Sequence, residues 1–62
     1  MHEMKELVQE LVNCGMSEMI IRSVFIGLET KEQYKQMTDW LREVNHPTMN
    51  DIMIKVALLT EE

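Results

Sequence analysis

Helix-breaking signals recur at short intervals along this 62-residue chain and limit it to short elements. Gly15 suits the left-handed backbone position that ends many helices, and Ser17 suits the N-cap of a following helix. Glycine and proline together number only three, so short turns should join the elements. The first break therefore predicts one helix that ends near residue 14 and another that begins near residue 18.

Two pairs of polar residues mark the later helix starts. Thr30 and Gln33 have the spacing of a capping box, as do Thr48 and Asp51. Pro47 supports the last break because it keeps the residue before it out of the helical region. We therefore predict a single all-α domain over residues 1–62, a compact four-helix arrangement with helices at about 3–14, 18–27, 31–44 and 49–60.

Apolar residues recur three and four positions apart within each segment, as is typical of amphipathic helices. At about 100° per residue, the first and third helices each have one apolar face. The predicted core stripes are Met4, Leu7, Val8, Leu11 and Val12 in the first helix, Ile20, Ile21, Val24, Phe25 and Leu28 in the second, Tyr34, Met37, Leu41 and Val44 in the third, and Met49, Ile52, Met53, Val56, Ala57 and Leu59 in the fourth.

The second and fourth helices carry additional apolar residues outside these stripes. Met19 and Ile26 share another side of the second helix, where we expect the fourth helix to cover them. Ile54 and Leu58 lie on the back of the fourth helix, and no other predicted element is left to cover them. Because the full burial of each is worth about 1.5–3 kcal/mol, a partner surface is the economical explanation.

The sequence therefore predicts a small, non-enzymatic protein-interaction or regulatory module. Its partner is either a second copy, giving a homodimer, or a foreign protein; alternatively the back of the helix is simply exposed, since apolar atoms contribute over half of a protein's surface. Methionine occurs seven times, and it is over-used at adaptable binding surfaces. The predicted partner-binding residues are Ile54, Leu58, Met19, Ile26 and Trp40, the last at the margin of the third helix's apolar face.

Residues that could support other chemistry are few. The soft metal-ligand types, His2, Cys14 and His46, are far apart and lack the paired spacing of a metal site. Cys14 should lie at the negative end of a helix dipole, which raises a thiol pKa, and a single cysteine forms no internal disulfide. We therefore predict no catalytic residue, no metal, no cofactor and no small-molecule substrate.

The net charge of -5 disfavours contact with nucleic acid or anionic lipid. Two alternative functions remain open. An acidic inhibitor would use this charge to occupy a basic groove of a nucleic-acid-binding protein. A helix-turn-helix DNA-binding regulator would use the glycine-containing turn between the second and third helices, although the bases Lys31, Lys35 and Arg42 are balanced there by Glu32, Asp39 and Glu43.

The predicted location is the cytoplasm. The first residues, MHEMKEL, lack the basic and apolar regions of a secretory signal. No apolar run approaches the roughly 20 residues that cross a membrane. A lone cysteine suits a reducing compartment.

Residues 11–41, LVNCGMSEMIIRSVFIGLETKEQYKQMTDWL, loosely resemble the ubiquitin-associated domain. In that family the first inter-helix loop is typically Met-Gly-Phe, and the third helix ends in a paired apolar patch. Cys14-Gly15-Met16 would match the loop, and Trp40 with Leu41 would match the patch. The resemblance implies ubiquitin binding, but it rests on glycine and helical spacing, which compact three-helix packing alone could produce. Cys14 and Met16 depart from the family's usual residues, so the resemblance does not assign the chain to the family.

Overall fold

The computed structural model describes residues 2–61, which form four α-helices and no β-strand. The all-α, four-helix prediction is confirmed, and every helix boundary lies within one residue of its expected position. Among these residues, no helix has the length and apolar character needed to span a membrane. The helices are α1 (His2–Asn13), α2 (Glu18–Gly27), α3 (Lys31–Glu43) and α4 (Met49–Thr60).

The turn between α1 and α2 has the predicted glycine stop. Gly15 adopts a φ of 81°, and its N–H donates to the Val12 carbonyl at 2.9 Å. The Met16 N–H donates to the Leu11 carbonyl at 3.1 Å, which completes the Schellman motif. Ser17 then caps α2, because its hydroxyl accepts a hydrogen bond from a backbone N–H in the first turn.

Both predicted capping boxes are present. The Thr30 hydroxyl accepts the Gln33 N–H at 3.1 Å, and Gln33 Oε1 accepts the Thr30 N–H at 3.0 Å. Thr48 and Asp51 exchange the equivalent bonds at 3.0 and 3.1 Å. Each box satisfies backbone donors that a helix start would otherwise leave unpaired. These bonds explain why α3 and α4 begin where they do.

His46 leaves the helical region in a way that the sequence did not indicate. A residue before proline usually adopts an extended backbone. His46 instead has a φ of 55°, in the left-handed region, while Pro47 is buried. This conformation turns the chain sharply between α3 and α4.

One cluster of buried side chains draws on all four helices. α1 packs mainly against α3, whereas α4 contacts both α2 and α3. Because α4 has two helical neighbours as well as the core, its remaining side is left to solvent. The buried apolar residues are Leu7, Leu11, Val24, Leu28, Tyr34, Met37, Leu41, Ile52 and Val56.

The buried stripe of α1 is narrower than the sequence predicted. Leu7 and Leu11 are fully enclosed, but Val8 and Val12 are 37% and 51% exposed. The reason is that α1 packs chiefly against a single helix, which covers only one side of it. The assignment of the two valines to the core was therefore wrong.

The predicted stripe of α4 needs a similar correction. Met49 and Ala57 are exposed, because α2 and α3 cover only the side centred on Ile52 and Val56. Met49 is the first residue of the helix, and Ala57 lies round towards its outer side.

Candidate protein-interaction face

The sides of α4 differ in what they contact. Ile52 and Val56 point into the core. The carbonyl of Leu59 accepts a hydrogen bond from Gln33 Nε2 at 3.3 Å, which joins the end of α4 to the start of α3. The side opposite the core carries an apolar surface that we call the α4 outer face, and it consists of Ile54, Ala57 and Leu58.

Ile54 and Leu58 form an exposed apolar pair at the centre of this face. Their exposed fractions are 52% and 59%, so each has roughly half its surface in water. They lie four residues apart, on successive turns, and Ala57 is exposed beside them. Within α4 no charged side chain interrupts the pair at helical spacing, so its members form one continuous strip.

Acidic residues lie at both ends of the α4 outer face. Asp51 precedes Ile54 by three positions within α4, and Glu61, the C-cap residue, follows Leu58 by three just beyond the helix. Both side chains are exposed. At about 1.5 Å per residue, the α-carbons of these two residues are separated by roughly 15 Å along the helix axis. The sequence pattern alone presented Asp51 only as a helix cap, so its place at this boundary went unpredicted.

Lys55 does not bring positive charge to the α4 outer face. Its ammonium lies 6.0 Å from the centroid of the Trp40 ring, on the side of α4 that contacts α3. Trp40 is half-buried and packs against the core. The structure therefore places Trp40 at the α3–α4 border beside the face rather than on it.

Met19 and Ile26 are the most exposed large apolar side chains of α2. Their exposed fractions are 75% and 83%, so the expectation that α4 covers them was wrong. α4 approaches α2 on the side of Gly27 instead. Arg22 lies between the two residues along the helix and pairs with Glu18 at 2.7 Å. These two side chains are thus separated by two turns and an ion pair, unlike the strip on α4.

Within residues 2–61, no three His, Cys, Asp or Glu side chains are grouped so that they could hold a metal ion. Cys14 is half-buried, and its pKa is raised first by burial and then by the negative charge of Glu10. A raised pKa keeps the thiol protonated and poorly nucleophilic. His2 lies 3.5 Å from Glu6 on the outside of α1.

Two of the three basic side chains of α3, those of Arg42 and Lys35, are engaged by acids. Arg42 Nε donates to Glu10 at 3.0 Å, and this bond is the main cause of the raised Arg42 pKa. Arg42 also reaches Glu6, and Lys35 pairs with Asp39 at 3.2 Å. α3 therefore offers little uncompensated positive charge to a DNA backbone.

Comparison with known proteins adds no family. No protein-family model matches the chain, and neither the curated proteins nor the solved structures contain a significant match. Trp40 and Leu41 were matched to the paired apolar patch of the ubiquitin-associated domain, but they are not both exposed in this structure. Leu41 is buried in the core and Trp40 is half-buried, so the two do not form an open apolar patch.

Proposed function

We propose that this protein is a small, non-enzymatic interaction or regulatory module that binds a protein partner through the α4 outer face. The observation that supports this proposal best is the strip of Ile54, Ala57 and Leu58, which stays exposed in the folded domain. A lone, free Cys14 supports a reducing compartment, in keeping with a cytoplasmic location.

The exposed strip is not a symptom of an unfinished core. The accessible surface is 4320 Å², close to the about 4,200 Å² expected for a folded monomer of this mass. Six side chains of the core are almost completely enclosed. The fold therefore closes without a partner, and the strip is available to one.

Completing the burial of Ile54 and Leu58 in an interface would contribute about 1 kcal/mol or more per residue. Interfaces commonly have a few strong central contacts surrounded by weaker ones, and this free energy is large enough for Ile54 and Leu58 to be the central contacts. Met19 and Ile26 on α2 and Trp40 on α3 are included in the proposed partner surface, because α2 and α3 both pack against α4. All five predicted partner-binding residues thus lie on α4 or on a helix that packs against it.

The acidic-inhibitor alternative draws support from the net charge of -5. It differs from the proposed module in what holds the complex together. Binding driven by charge weakens steeply as salt is added, whereas apolar contacts are not weakened by this screening. A salt series on any captured complex therefore separates the two functions.

The test is quantitative affinity capture from an extract of the source cell, with three forms of the immobilised protein. These are the wild type, Ile54→Gln/Leu58→Gln, and the matched control Val8→Gln/Val12→Gln, which changes an exposed pair at the same spacing on α1. We expect a captured protein that the α4 variant loses and the α1 variant retains. Capture that survives the α4 change but fails at high salt would instead support the acidic inhibitor.

A further inference from the structure

The charges around the α4 outer face indicate what kind of partner it takes. Resting on the proposed function, we propose that this face docks a positively charged amphipathic helix of another protein, rather than a second copy of this chain. Asp51 and Glu61 at the two ends of the strip, and the position of Lys55, favour such a partner.

Two acids, Asp51 and Glu61, border the α4 outer face, while the one base of α4 is directed towards Trp40. Asp51 accepts the Thr48 N–H through one carboxylate oxygen, but its side chain remains exposed at the start of the strip. Glu61 is exposed at the other end. Lys55, the single base of α4, lies over the Trp40 ring. An apolar strip between two carboxylates is complementary to apolar side chains flanked by Lys or Arg.

Self-association through this strip brings like charges together in either orientation. An antiparallel two-fold pair that sets Ile54 against Leu58 of a second copy also sets Asp51 against Glu61 of that copy. A parallel two-fold pair sets each carboxylate against its own equivalent. Each copy also carries a net charge of -5, which adds long-range repulsion. A homodimer is therefore the poorer occupant.

A helix fits the strip better than an extended segment. Ile54 and Leu58 lie on successive turns of one straight element, which matches apolar anchors at the same spacing on a second helix. The partner's bases would lie roughly 15 Å apart, one near each carboxylate. The recognised pattern is thus a base, two apolar residues four positions apart, and a second base, each base three positions outside the apolar pair.

Labelled synthetic peptides test this pattern directly. Each is an alanine-rich helix of about 16 residues with two leucines four positions apart. The residues three positions outside the leucines are lysine, glutamine or glutamate in three versions. Fluorescence anisotropy measures binding to wild type, Asp51→Asn/Glu61→Gln and Leu58→Gln. The control Glu32→Gln/Glu43→Gln makes the same change in net charge on exposed positions of α3.

We expect the lysine peptide to bind wild type most tightly and the glutamate peptide most weakly. Affinity for the lysine peptide should fall about three- to tenfold in Asp51→Asn/Glu61→Gln. It should change less than about twofold in the α3 control, because Glu32 and Glu43 are exposed to solvent and their charges are screened at about 0.1 M salt. An asparagine at position 51 keeps a carbonyl oxygen for the cap, so the variant should remain folded.

Failure of the inference is distinguishable from failure of the proposed function. Equal binding of the lysine and glutamine peptides, with both lost in Leu58→Gln, overturns the basic partner but supports the interaction face. Light scattering that instead shows a dimer for the wild type and a monomer for Leu58→Gln also overturns the basic partner and supports the interaction face. If Leu58→Gln binds the lysine peptide as tightly as wild type does, both the inference and the proposed function are overturned, because binding would then depend on charge alone. The absence of any lysine-peptide binding overturns the inference.

Discussion

Gly27 of α2 lies directly against Val56 of α4. A β-carbon built at position 27 would be 2.6 Å from Val56 Cγ1, closer than packed carbon atoms approach. Because Gly27 is the last residue of α2, the contact fixes how near that end of the helix comes to α4. The position of α4, and with it the direction of its outer face, depends on this small residue.

We expect Gly27→Ala to destabilise the protein, although alanine normally favours a helix over glycine. Overpacking at a tight contact costs about 1–3 kcal/mol. Denaturant unfolding of Gly27→Ala, Val56→Ala and the double variant measures this. Val56→Ala makes room, so the double variant should lose less than the sum of the single losses. Strict additivity would show that the two residues do not meet in solution.

Gly15→Ala should also destabilise, but for a different reason. Apart from Gly15 itself and its two chain neighbours, no residue would lie within 4 Å of the added β-carbon, so packing is not the cause. The φ of 81° forces any other residue into the left-handed region, at a cost of about 1–2 kcal/mol. Asparagine tolerates this backbone better, so Gly15→Asn should recover part of the loss in denaturant unfolding. Equal stability of Gly15→Ala and wild type would contradict the observed turn.

The Cys14 thiol should titrate above its ordinary range. Burial raises its pKa, and the charge of Glu10 adds to the effect. The folded state then holds its proton to a higher pH than the unfolded state. The stability from this group is therefore complete below the unfolded pKa and is lost as the pH rises through the folded pKa.

Thiolate absorbance as a function of pH, with Cys14→Ala as the blank, measures the Cys14 pKa in the folded and the denatured chain. We expect the folded value to be higher. Glu10→Gln should lower it part of the way, since burial remains, while Lys35→Gln on the far ion pair should leave it unchanged. A folded pKa equal to or below the denatured one would mean that Cys14 is open to water.

Arg42 joins α3 to α1 through Glu10 and Glu6. The hydrogen bond to Glu10 raises the pKa of Arg42, and a guanidinium stays charged in proteins even without this shift. We expect Arg42→Gln to lower the thermal unfolding midpoint, and to lower it less as salt is added, because the pairs are on the surface. The matched variant Lys35→Gln removes a pair within one helix and should have the smaller effect. A larger effect of Lys35→Gln would argue against the α1–α3 link.

Local sequence signals were sufficient to predict where the helices begin and end. Gly15, Thr30 and Thr48 act through hydrogen bonds to residues one turn away, so their roles can be recognised without tertiary structure. Which side of each helix is buried, and how wide that buried side is, was not predictable in the same way. Val12 and Ala57 continue apolar stripes, yet both are exposed, because the number of neighbouring helices decides how wide a stripe is buried.

The candidate face was predicted in part. Ile54 and Leu58 were expected on the back of α4, and the structure has both exposed. Met19 and Ile26 were expected under α4, but the close contact at Gly27 brings α4 to a different side of α2. Helical periodicity specifies which residues share a face, but packing between helices specifies which face is covered.

Binding and folding should be separable at the α4 outer face. Ile54 and Leu58 are half-exposed, and glutamine is a good helix former, so Ile54→Gln/Leu58→Gln should lose only about 1–2 kcal/mol in total. Thermal unfolding followed by circular dichroism checks this, with Leu7→Gln as the contrast. A buried polar group at position 7 should unfold the domain. An unfolded Ile54→Gln/Leu58→Gln variant would make the strip part of the core.

The most direct test of the central claim is an NMR titration of the isotope-labelled protein with the lysine peptide, observing every backbone amide. We predict that chemical-shift changes concentrate on Ile54, Ala57 and Leu58 and extend to Asp51 and Glu61, while the exposed pair on α1 stays unchanged. Shift changes centred on Val8 and Val12, or spread evenly over the acidic surface, would contradict the assignment of the α4 outer face as the binding site.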